Sequence, residues 1–436
     1  MTPQNFPKNQ PKVMNSWAFY DWANSVYSLV ISSTIFPIYW SIISTADGND
    51  KVTFLGINFN NDSLITYVTS FAFLVVVVVS PILSGVADFT GTKKFFLRFF
   101  CYLGALSCIA MFGFDIEHLG VGLLLYFLAL LGFWCSIVFY NSYLPDIATV
   151  EFQDKLSAKG FAFGFAGSTL LLILNLVMVM SQGDDKVASL QMMKYSFITV
   201  GLWWIIFGYI SSRKLPNFKN SNKINTKVLW NGYRELRGIW KKLKQNQVLK
   251  RYLGAFFSYS MAVQTIMIIA TYFGVEEINW GTTNAKTGLI ISILLINIIA
   301  IPGALCTSYI AKSIGNLKAL IVVNSIWLGV CIYAYTIHTP VEFYITASFV
   351  GLVMGGIQSL SRSTYSKLLP SNTNDTTSFF SFYDVTEKIG IIIGTLLYGI
   401  LGDLTGSPRY AIIFFGLFFF VGIILLYRLV KTSRLQ

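Results

Sequence analysis

Charged residues are scarce in this sequence. Asp, Glu, Lys and Arg make up 12% of its 436 residues and hydrophobic residues make up 54%, whereas a soluble domain carries roughly 25% charged residues. So little polar surface could not cover a water-soluble protein of this length. Apolar runs such as Leu64–Val86 and Tyr410–Leu429 approach the ~20 residues that span a bilayer. The sequence therefore predicts a multi-pass protein whose surroundings are a lipid bilayer.

Histidine and cysteine are also rare, which bears on catalysis and metal binding. The two histidines, His118 and His338, are far apart, and the five cysteines fall inside apolar runs without metal-ligand spacing. The sequence contains no zinc motif and no nucleophile elbow. We therefore predict no enzyme, no metal and no cofactor. A membrane-embedded enzyme acting on lipid or peptide is the alternative class, and a channel or receptor is the third.

The net charge of +12 does not indicate a nucleic-acid partner, because the basic residues form no single face. Basic segments such as Lys93–Lys94 alternate along the chain with acidic ones such as Asp115 and Glu117. By the positive-inside rule, both termini are then cytoplasmic, which requires an even number of helices. We predict a cell-membrane protein, in a bacterial inner membrane, with cytoplasmic N and C termini.

The apolar runs predict twelve transmembrane helices in two related halves. Leu144-Pro145 and Leu369-Pro370 end helices at matching positions of the two halves, and each is followed by a polar loop and an aromatic stretch. A long basic connection separates the halves and carries an amphipathic helical pattern. The predicted fold is an all-α integral membrane protein with an N-terminal six-helix half (1–212), a cytoplasmic linker (213–248) and a C-terminal six-helix half (249–436).

The connection between the second and third helices carries the motif Gly85-Val-Ala-Asp88-Phe-Thr-Gly91-Thr-Lys93-Lys94. It resembles the signature loop of the major facilitator superfamily. Gly91 permits a tight turn, and we expect Asp88 to form a latch with a cation that breaks during the transport cycle. Orientation charges plus a plain turn are the alternative. In the second half Lys312 stands where Asp88 would align, which predicts a degenerate second latch.

A second resemblance extends over both halves. The chain resembles the major facilitator family named for the autophagy-related vacuolar amino-acid effluxer, in the segments Trp17–Ser25, Phe139–Asp146, Gly160–Gly164, Gly356–Ser363 and Phe380–Asp384. The resemblance implies the major facilitator fold and a monomeric secondary transporter that works by alternating access. It also implies a small polar substrate, amino acid-like, moved by efflux. Sugars and peptide or cell-wall fragments are alternative cargoes.

Ionisable residues inside the apolar helices are the predicted coupling or gating groups, because a charge within the membrane is costly and usually paired. Asp21 falls inside the first helix and Arg362 inside the tenth. Asp384, Glu387 and Lys388 share one face of the eleventh helix. Asp384 and Lys388 can neutralise each other, which leaves Glu387 and Asp21 needing Arg362 or water. Exchange of protons, static gate ion pairs and packing remain alternatives.

Polar side chains in apolar helices are the predicted substrate contacts, as a small polar ligand would require. Hydrogen bonds between helices would explain each of them equally well. They are Tyr20, Asn24, Tyr27, Tyr140, Asn141, Gln264 and Gln358.

Overall fold

The structure is a computed structural model that describes residues 5–45, 51–218, 228–281, 284–370 and 373–433. These ranges are almost entirely helical, and twelve spans in them are long and apolar enough to cross a membrane. The predicted all-α class and the predicted number of spans are confirmed.

The helices are numbered in chain order. They are α1 (Pro11–Val26), α2 (Phe36–Ser44), α3 (Asn61–Thr90), α4 (Lys93–Ala110), α5 (Leu119–Asn141), α6 (Leu144–Ile147), α7 (Val150–Met180), α8 (Lys186–Lys214), α9 (Val228–Gln245), α10 (Gln247–Glu276), α11 (Ala285–Ile314), α12 (Asn316–Ala334), α13 (Pro340–Leu368), α14 (Thr376–Thr405) and α15 (Pro408–Ser433). A short 3₁₀ turn, Met111–Gly113, follows α4.

The first membrane span is not one regular helix. A π-helical segment, Tyr27–Ile35, joins α1 to α2, where the sequence predicts a single helix. The Thr34 hydroxyl donates to the carbonyl of Leu29, five residues back, at 2.8 Å. In the backbone, the N–H of Phe36 likewise donates to the carbonyl of Ile31, five residues back. π-Helical segments of this kind are rare and occur often at functional sites.

A β-hairpin lies between the first two spans. Strands β1 (Lys51–Phe54) and β2 (Ile57–Asn60) pair antiparallel, and the sequence analysis predicts no strand here. Leu55 and Gly56 form the turn with positive φ angles of 52° and 78°, the conformation of tight hairpin turns.

Several helix ends follow from local chemistry. Thr339 and Glu342 form a capping box at the start of α13, and the Asn246 side chain caps α10, so both satisfy backbone groups that the helix leaves open. Pro81 and Pro302 lie inside α3 and α11. Both helices continue past their proline, as packed membrane helices allow.

Two compact units make up the chain. The first consists mainly of Gln10–Tyr143 and Phe163–Tyr233, and the second mainly of Leu144–Ala162 and Arg234–Gln436. Trp17 and Trp204 are fully buried in the first unit, and Trp327 in the second. Helices α7 and α9 each contribute one part to each unit. The predicted division into halves 1–212 and 249–436 with a linker at 213–248 stays a prediction.

Candidate functional site

Asp21 lies on α1, against the end of α5. The Tyr140 hydroxyl donates to its Oδ2 at 2.8 Å, and the aspartate is only 7% exposed. The Tyr140 ring stacks on Trp17 with centroids 4.5 Å apart, and the Trp17 indole donates to the Tyr140 carbonyl at 2.8 Å. A buried carboxylate is costly unless it is hydrogen-bonded. These contacts therefore stabilise Asp21 in a fixed position.

Helix α7 approaches this part of α1 closely. A Cβ atom at Gly164 would lie 2.5 Å from the Ser25 hydroxyl and 3.3 Å from the Asp21 Cβ. Only glycine allows this approach, as at many interfaces of membrane helices. The glycine spacing in the Gly160–Gly164 segment thus places α7 beside the buried acid.

Two predicted substrate residues of the first span, Tyr20 on α1 and Tyr27 at the start of the π-helical segment, lie in the packed interior of the first unit. Tyr20 and Tyr27 are completely buried, and Tyr27 packs on Phe133 and Trp204 with centroids 5.2 and 5.6 Å apart. Among the described residues the Tyr27 hydroxyl has no hydrogen-bond partner. Their complete burial favours a packing role over contact with substrate.

The other polar candidates of the first unit are also buried. Asn24 is 2% exposed, and its side-chain oxygen accepts a long contact of 3.5 Å from the Ser25 hydroxyl. Asn141, the last residue of α5, is 7% exposed. Of the predicted substrate residues here, the structure brings Tyr140 into direct contact with the predicted coupling acid.

Three ionisable residues of α14 form one cluster in the second unit. Lys388 Nζ lies 3.0 Å from Asp384 Oδ1 and 2.9 Å from Glu387 Oε2. The exposed side-chain fractions are 0% for Lys388, 4% for Asp384 and 21% for Glu387. Gln264 of α10 donates to Glu387 Oε1 at 3.0 Å. We call Asp384, Glu387 and Lys388 the α14 triad; it contains two carboxylates and one ammonium.

The partners of Glu387 differ from those expected. Lys388 and Gln264 contact Glu387, whereas the sequence suggests Arg362 or water. Lys388 follows Glu387 directly on the same helix and is therefore the nearer cation. Asp384 Oδ2 is buried and has no hydrogen-bond partner among the described residues. The triad therefore keeps one carboxylate oxygen unused inside the protein.

Arg362 of α13 contacts the first part of α7 within the second unit. Its guanidinium donates from Nε to the Ser157 hydroxyl and from Nη2 to the Ser157 carbonyl, both at 2.9 Å. It also lies 4.2 Å from the centre of the Phe161 ring, a cation–π distance. Arg362 thus joins α13 to α7. Gln358, one turn before it on α13, is half-buried.

The signature sequence forms a tighter turn than expected. Only Gly91 and Thr92 separate α3 from α4, and Gly91 has a left-handed φ of 71°. Asp88, predicted in the loop, lies in the last turn of α3 and is 9% exposed. The motif therefore belongs mostly to the helix, because α3 extends to Thr90.

The basic residues of the motif have separate partners. Lys94 donates to the carbonyls of Arg213 and Leu215 at 3.2 and 2.6 Å, at the C-terminal end of α8, where a cation is favourable. Lys93 is buried, and its ammonium lies 4.4 Å from the centre of the Tyr143 ring. Gly85 has another role: a Cβ there would lie 2.3 Å from the carbonyl oxygen of Gly232, on α9.

Comparison with known proteins identifies the family. The family model described as "Vacuole effluxer Atg22 like" matches residues 9–435. The chain belongs to the Atg22-like vacuole effluxer family. The predicted family is thereby confirmed.

Relatives of this Atg22-like chain cover nearly its whole length. A Bacillus subtilis (strain 168) protein, YxiO, named an uncharacterized MFS-type transporter, is 29% identical over 426 residues, which are 96% of this chain and 95% of the relative. Autophagy-related protein 22 of Saccharomyces cerevisiae (strain ATCC 204508 / S288c) is 25% identical over 427 residues, 85% of this chain and 79% of the relative.

Solved structures show the same fold for the Atg22-like chain. The fucose:proton symporter FucP of E. coli superposes with a TM-score of 0.70 at 15% identity and covers 96% of this chain and 98% of its own. The proton:xylose symporter XylE gives a TM-score of 0.70 at 11% identity, over 96% and 95%. The predicted major facilitator fold is confirmed, and the protein is a major facilitator-type transporter.

The sequence analysis of this Atg22-like chain missed a polar cluster in the second unit. Asn316, at the start of α12, donates to Asp154 Oδ1 at 2.7 Å and to the Thr364 hydroxyl at 3.1 Å. Lys367, at the end of α13, pairs with Asp154 and donates to the Asn316 side-chain oxygen at 3.0 Å. Asp154 lies near the start of α7, which begins at Val150, ahead of the apolar part of that span. A capping analysis of that helix could have found it.

A second missed cluster lies at the other end of the second unit. Arg409 Nη2 lies 3.1 Å from Glu277 Oε2 and donates to the Ile337 carbonyl at 3.0 Å. Ser407 also donates to Glu277. Burial opposes ionisation of Glu277, but the hydrogen bonds and charge from Ser407 and Arg409 outweigh it and lower the pKa of this carboxyl. The cluster joins the ends of α10 and α15 to the segment before α13.

Proposed function

We propose that this transporter moves a small amino acid-like metabolite out of the cytoplasm by alternating access, coupled to protons through its buried carboxylates. The observation that carries the proposal is the α14 triad. It holds two carboxylates against one ammonium in a helix of the membrane-spanning bundle, with one buried carboxylate oxygen of Asp384 unused. A charge without a counter-charge inside the membrane is costly.

An excess carboxylate can be balanced by a proton or by a positively charged group of the substrate. The α-ammonium of an amino acid offers the donors that Asp384 Oδ2 lacks, and the Gln264 amide, which contacts Glu387, offers a polar group beside it. A neutral sugar would supply no charge. This chemistry supports an amino acid-like cargo ahead of sugars and of peptide or cell-wall fragments.

Asp21 is the second proposed coupling group. The Tyr140 hydroxyl donates to its Oδ2 at 2.8 Å, and the residue is only 7% exposed. A carboxylate at this degree of burial inside a membrane helix is costly to keep charged, which supports a change of its protonation during the cycle. The family description as a vacuole effluxer supports net transport of a metabolite across a membrane. The basic cytoplasmic segments support a cell-membrane location with both termini inside, and we expect a monomer.

The test is uptake of a labelled amino-acid mixture by proteoliposomes, with and without a pH gradient. Asp21→Asn and Asp384→Asn are compared with wild type and with Asp115→Asn. Asp115 is an exposed acid whose nearest charged partner is His118, so its variant is the matched control. We expect gradient-driven accumulation to be lost in the first two variants and kept in the control, while exchange of labelled for unlabelled substrate persists.

Two results would count against this proposal. Equal loss of accumulation and exchange in Asp21→Asn and Asp384→Asn would favour static gate ion pairs over proton coupling. No uptake of any amino acid by folded wild-type protein would exclude the amino acid-like cargo and direct the assay to sugars and peptides.

A further inference from the structure

The most deeply buried of the described residues of α9 lie on one face of the helix. In addition, the Trp240 ring packs against Phe382 with centroids 5.5 Å apart, and Lys242 pairs with Asp375. Ile239 and Leu243 are buried in the hydrophobic core of the second unit. Gly232 lies on the same side of the helix, and a Cβ there would lie 2.9 Å from the Val86 amide nitrogen. Positions 232, 239 and 243 fall together at 3.6 residues per turn. Gly232, Ile239 and Leu243 therefore form the packed face of α9.

A second face of α9 is exposed and combines aromatic with basic residues. Trp230, Tyr233 and Trp240 are 55%, 46% and 45% exposed. Trp230 stacks on Tyr233 with centroids 5.5 Å apart, and Lys244 Nζ lies 5.3 Å from the centre of the Trp240 ring. The helical repeat places three exposed cations on the same side. They are Arg237, Lys241 and Lys244.

Both ends of α9 lie next to membrane-spanning helices. One residue, Asn246, separates α9 from the membrane span α10. The crossing of Gly232 with Gly85 lies one and a half turns from the end of another span, α3. Helix α9 is thus tied to membrane-spanning helices near each of its ends, at the basic side of the chain.

We propose that the exposed face of α9, formed by Trp230, Tyr233, Arg237, Trp240, Lys241 and Lys244, docks on the headgroups of anionic phospholipids. Trp and Tyr favour the headgroup region, where the ring is buried and its polar edge stays hydrated. Lys and Arg close to them bind the lipid phosphates, which attract a basic helix of this kind. Because α9 adjoins the membrane spans α3 and α10, lipid headgroups are a nearer occupant for its exposed face than a soluble protein.

The test measures hydrogen–deuterium exchange of the full-length protein in lipid nanodiscs. The discs contain phosphatidylcholine alone or an equal mixture of phosphatidylcholine and phosphatidylglycerol. In the mixture, we expect amides of α9 in the wild type to exchange about tenfold more slowly, because ordering by headgroup contacts suppresses local opening. The effect should be absent from peptides of α10, which is ordered in both lipids.

One variant removes the cations and another is its control. The triple variant Arg237→Gln, Lys241→Gln, Lys244→Gln should lose the effect of phosphatidylglycerol. The control variant neutralises three exposed lysines far from α9 in sequence, Lys51, Lys186 and Lys286, and should keep it. Equal exchange of α9 in the two lipids, or an undiminished lipid effect in the triple variant, would overturn the proposal. Unchanged exchange of α10 shows that the triple variant is folded.

Discussion

Removing the ammonium of Lys388 is the most direct test of the α14 triad. Lys388→Met keeps the length of the side chain and its apolar part but removes the charge that lies 3.0 Å from Asp384 and 2.9 Å from Glu387. Two carboxylates, three residues apart on one helix, would then face each other inside the protein. Either they take up protons or the helix shifts to reach water.

The expected cost follows from the burial of the three groups. Breaking a buried pair by removing one partner costs about 3–5 kcal/mol, because an uncompensated charge stays behind. Most of this free-energy cost comes from Asp384, which is only 4% exposed. Glu387 is 21% exposed and keeps its hydrogen bond from the Gln264 amide. At about 2–4 °C per kcal/mol for a unit of roughly 200 residues, the unfolding temperature should fall by on the order of 10 °C.

Thermal unfolding in detergent, followed by tryptophan fluorescence, measures the loss. Lys286→Met, at an exposed lysine near the start of α11, is the matched control and should unfold like wild type. Adding Asp384→Asn and Glu387→Gln to Lys388→Met should restore most of the stability, because no unpaired charge remains. Wild-type stability of Lys388→Met, or no restoration in the neutral triad, would refute this account of the site.

Three further changes test separate features of the structure. Gly91→Ala should cost about 1–2 kcal/mol of stability, because the left-handed φ disfavours a Cβ. Gly254→Ala, inside α10 where a Cβ meets nothing within 4 Å, should instead gain up to about 1 kcal/mol in the same thermal unfolding. Gly238→Ala should stabilise α9 by up to about 1 kcal/mol, but Gly232→Ala should loosen it by collision with α3; equal hydrogen exchange of α9 in the two variants would contradict the crossing. Glu277→Gln should unfold at a lower temperature than wild type near neutral pH. The folded pKa of Glu277 lies below the ordinary value of 4.5. The contribution of the ionised carboxylate to folding stability is therefore complete above pH 4.5 and is lost as the pH falls further, so the difference in unfolding temperature between the two proteins should disappear in acid. A difference in unfolding temperature that does not change with pH would oppose the ion pair.

Hydropathy and charge predicted the fold well because a bilayer leaves few alternatives. Helices are the only segments here that satisfy their backbone in lipid, and about 20 residues are needed to span it. Features of local backbone geometry were not predictable in this way. The π-helical segment Tyr27–Ile35 has ordinary apolar composition, and the hairpin at Leu55–Gly56 lacks the usual Asn-Gly or Asp-Gly signal.

The acidic residues of the candidate site could be selected from the sequence, but several of the residues that contact them could not. Spacing along one helix placed Asp384 and Lys388 together, because residues four apart share a face. The hydrogen bond between Asp21 and Tyr140 joins two helices, and no periodicity specifies which faces of two helices meet. For the same reason, the sequence could not show that Tyr27 packs against Phe133 and Trp204 in the interior of its unit.

Comparing residue types alone hides a similarity between the turn after α3 and the turn after α11. Lys312 at the position of Asp88 predicted a degenerate second latch. Yet Gly315, like Gly91, has a positive φ, 87°, and a polar residue close behind each glycine reaches another helix: Lys94 the end of α8, and Asn316 the Asp154 carboxylate on α7. What the two halves share is a glycine with a positive φ and the reach of a following side chain. The rest of the turn differs, with a ψ of 27° at Gly91 and 152° at Gly315, and so does the chemistry. A cation that binds carbonyls in one half is replaced by an amide that binds an acid in the other, so the second turn still joins helices although its residues do not align.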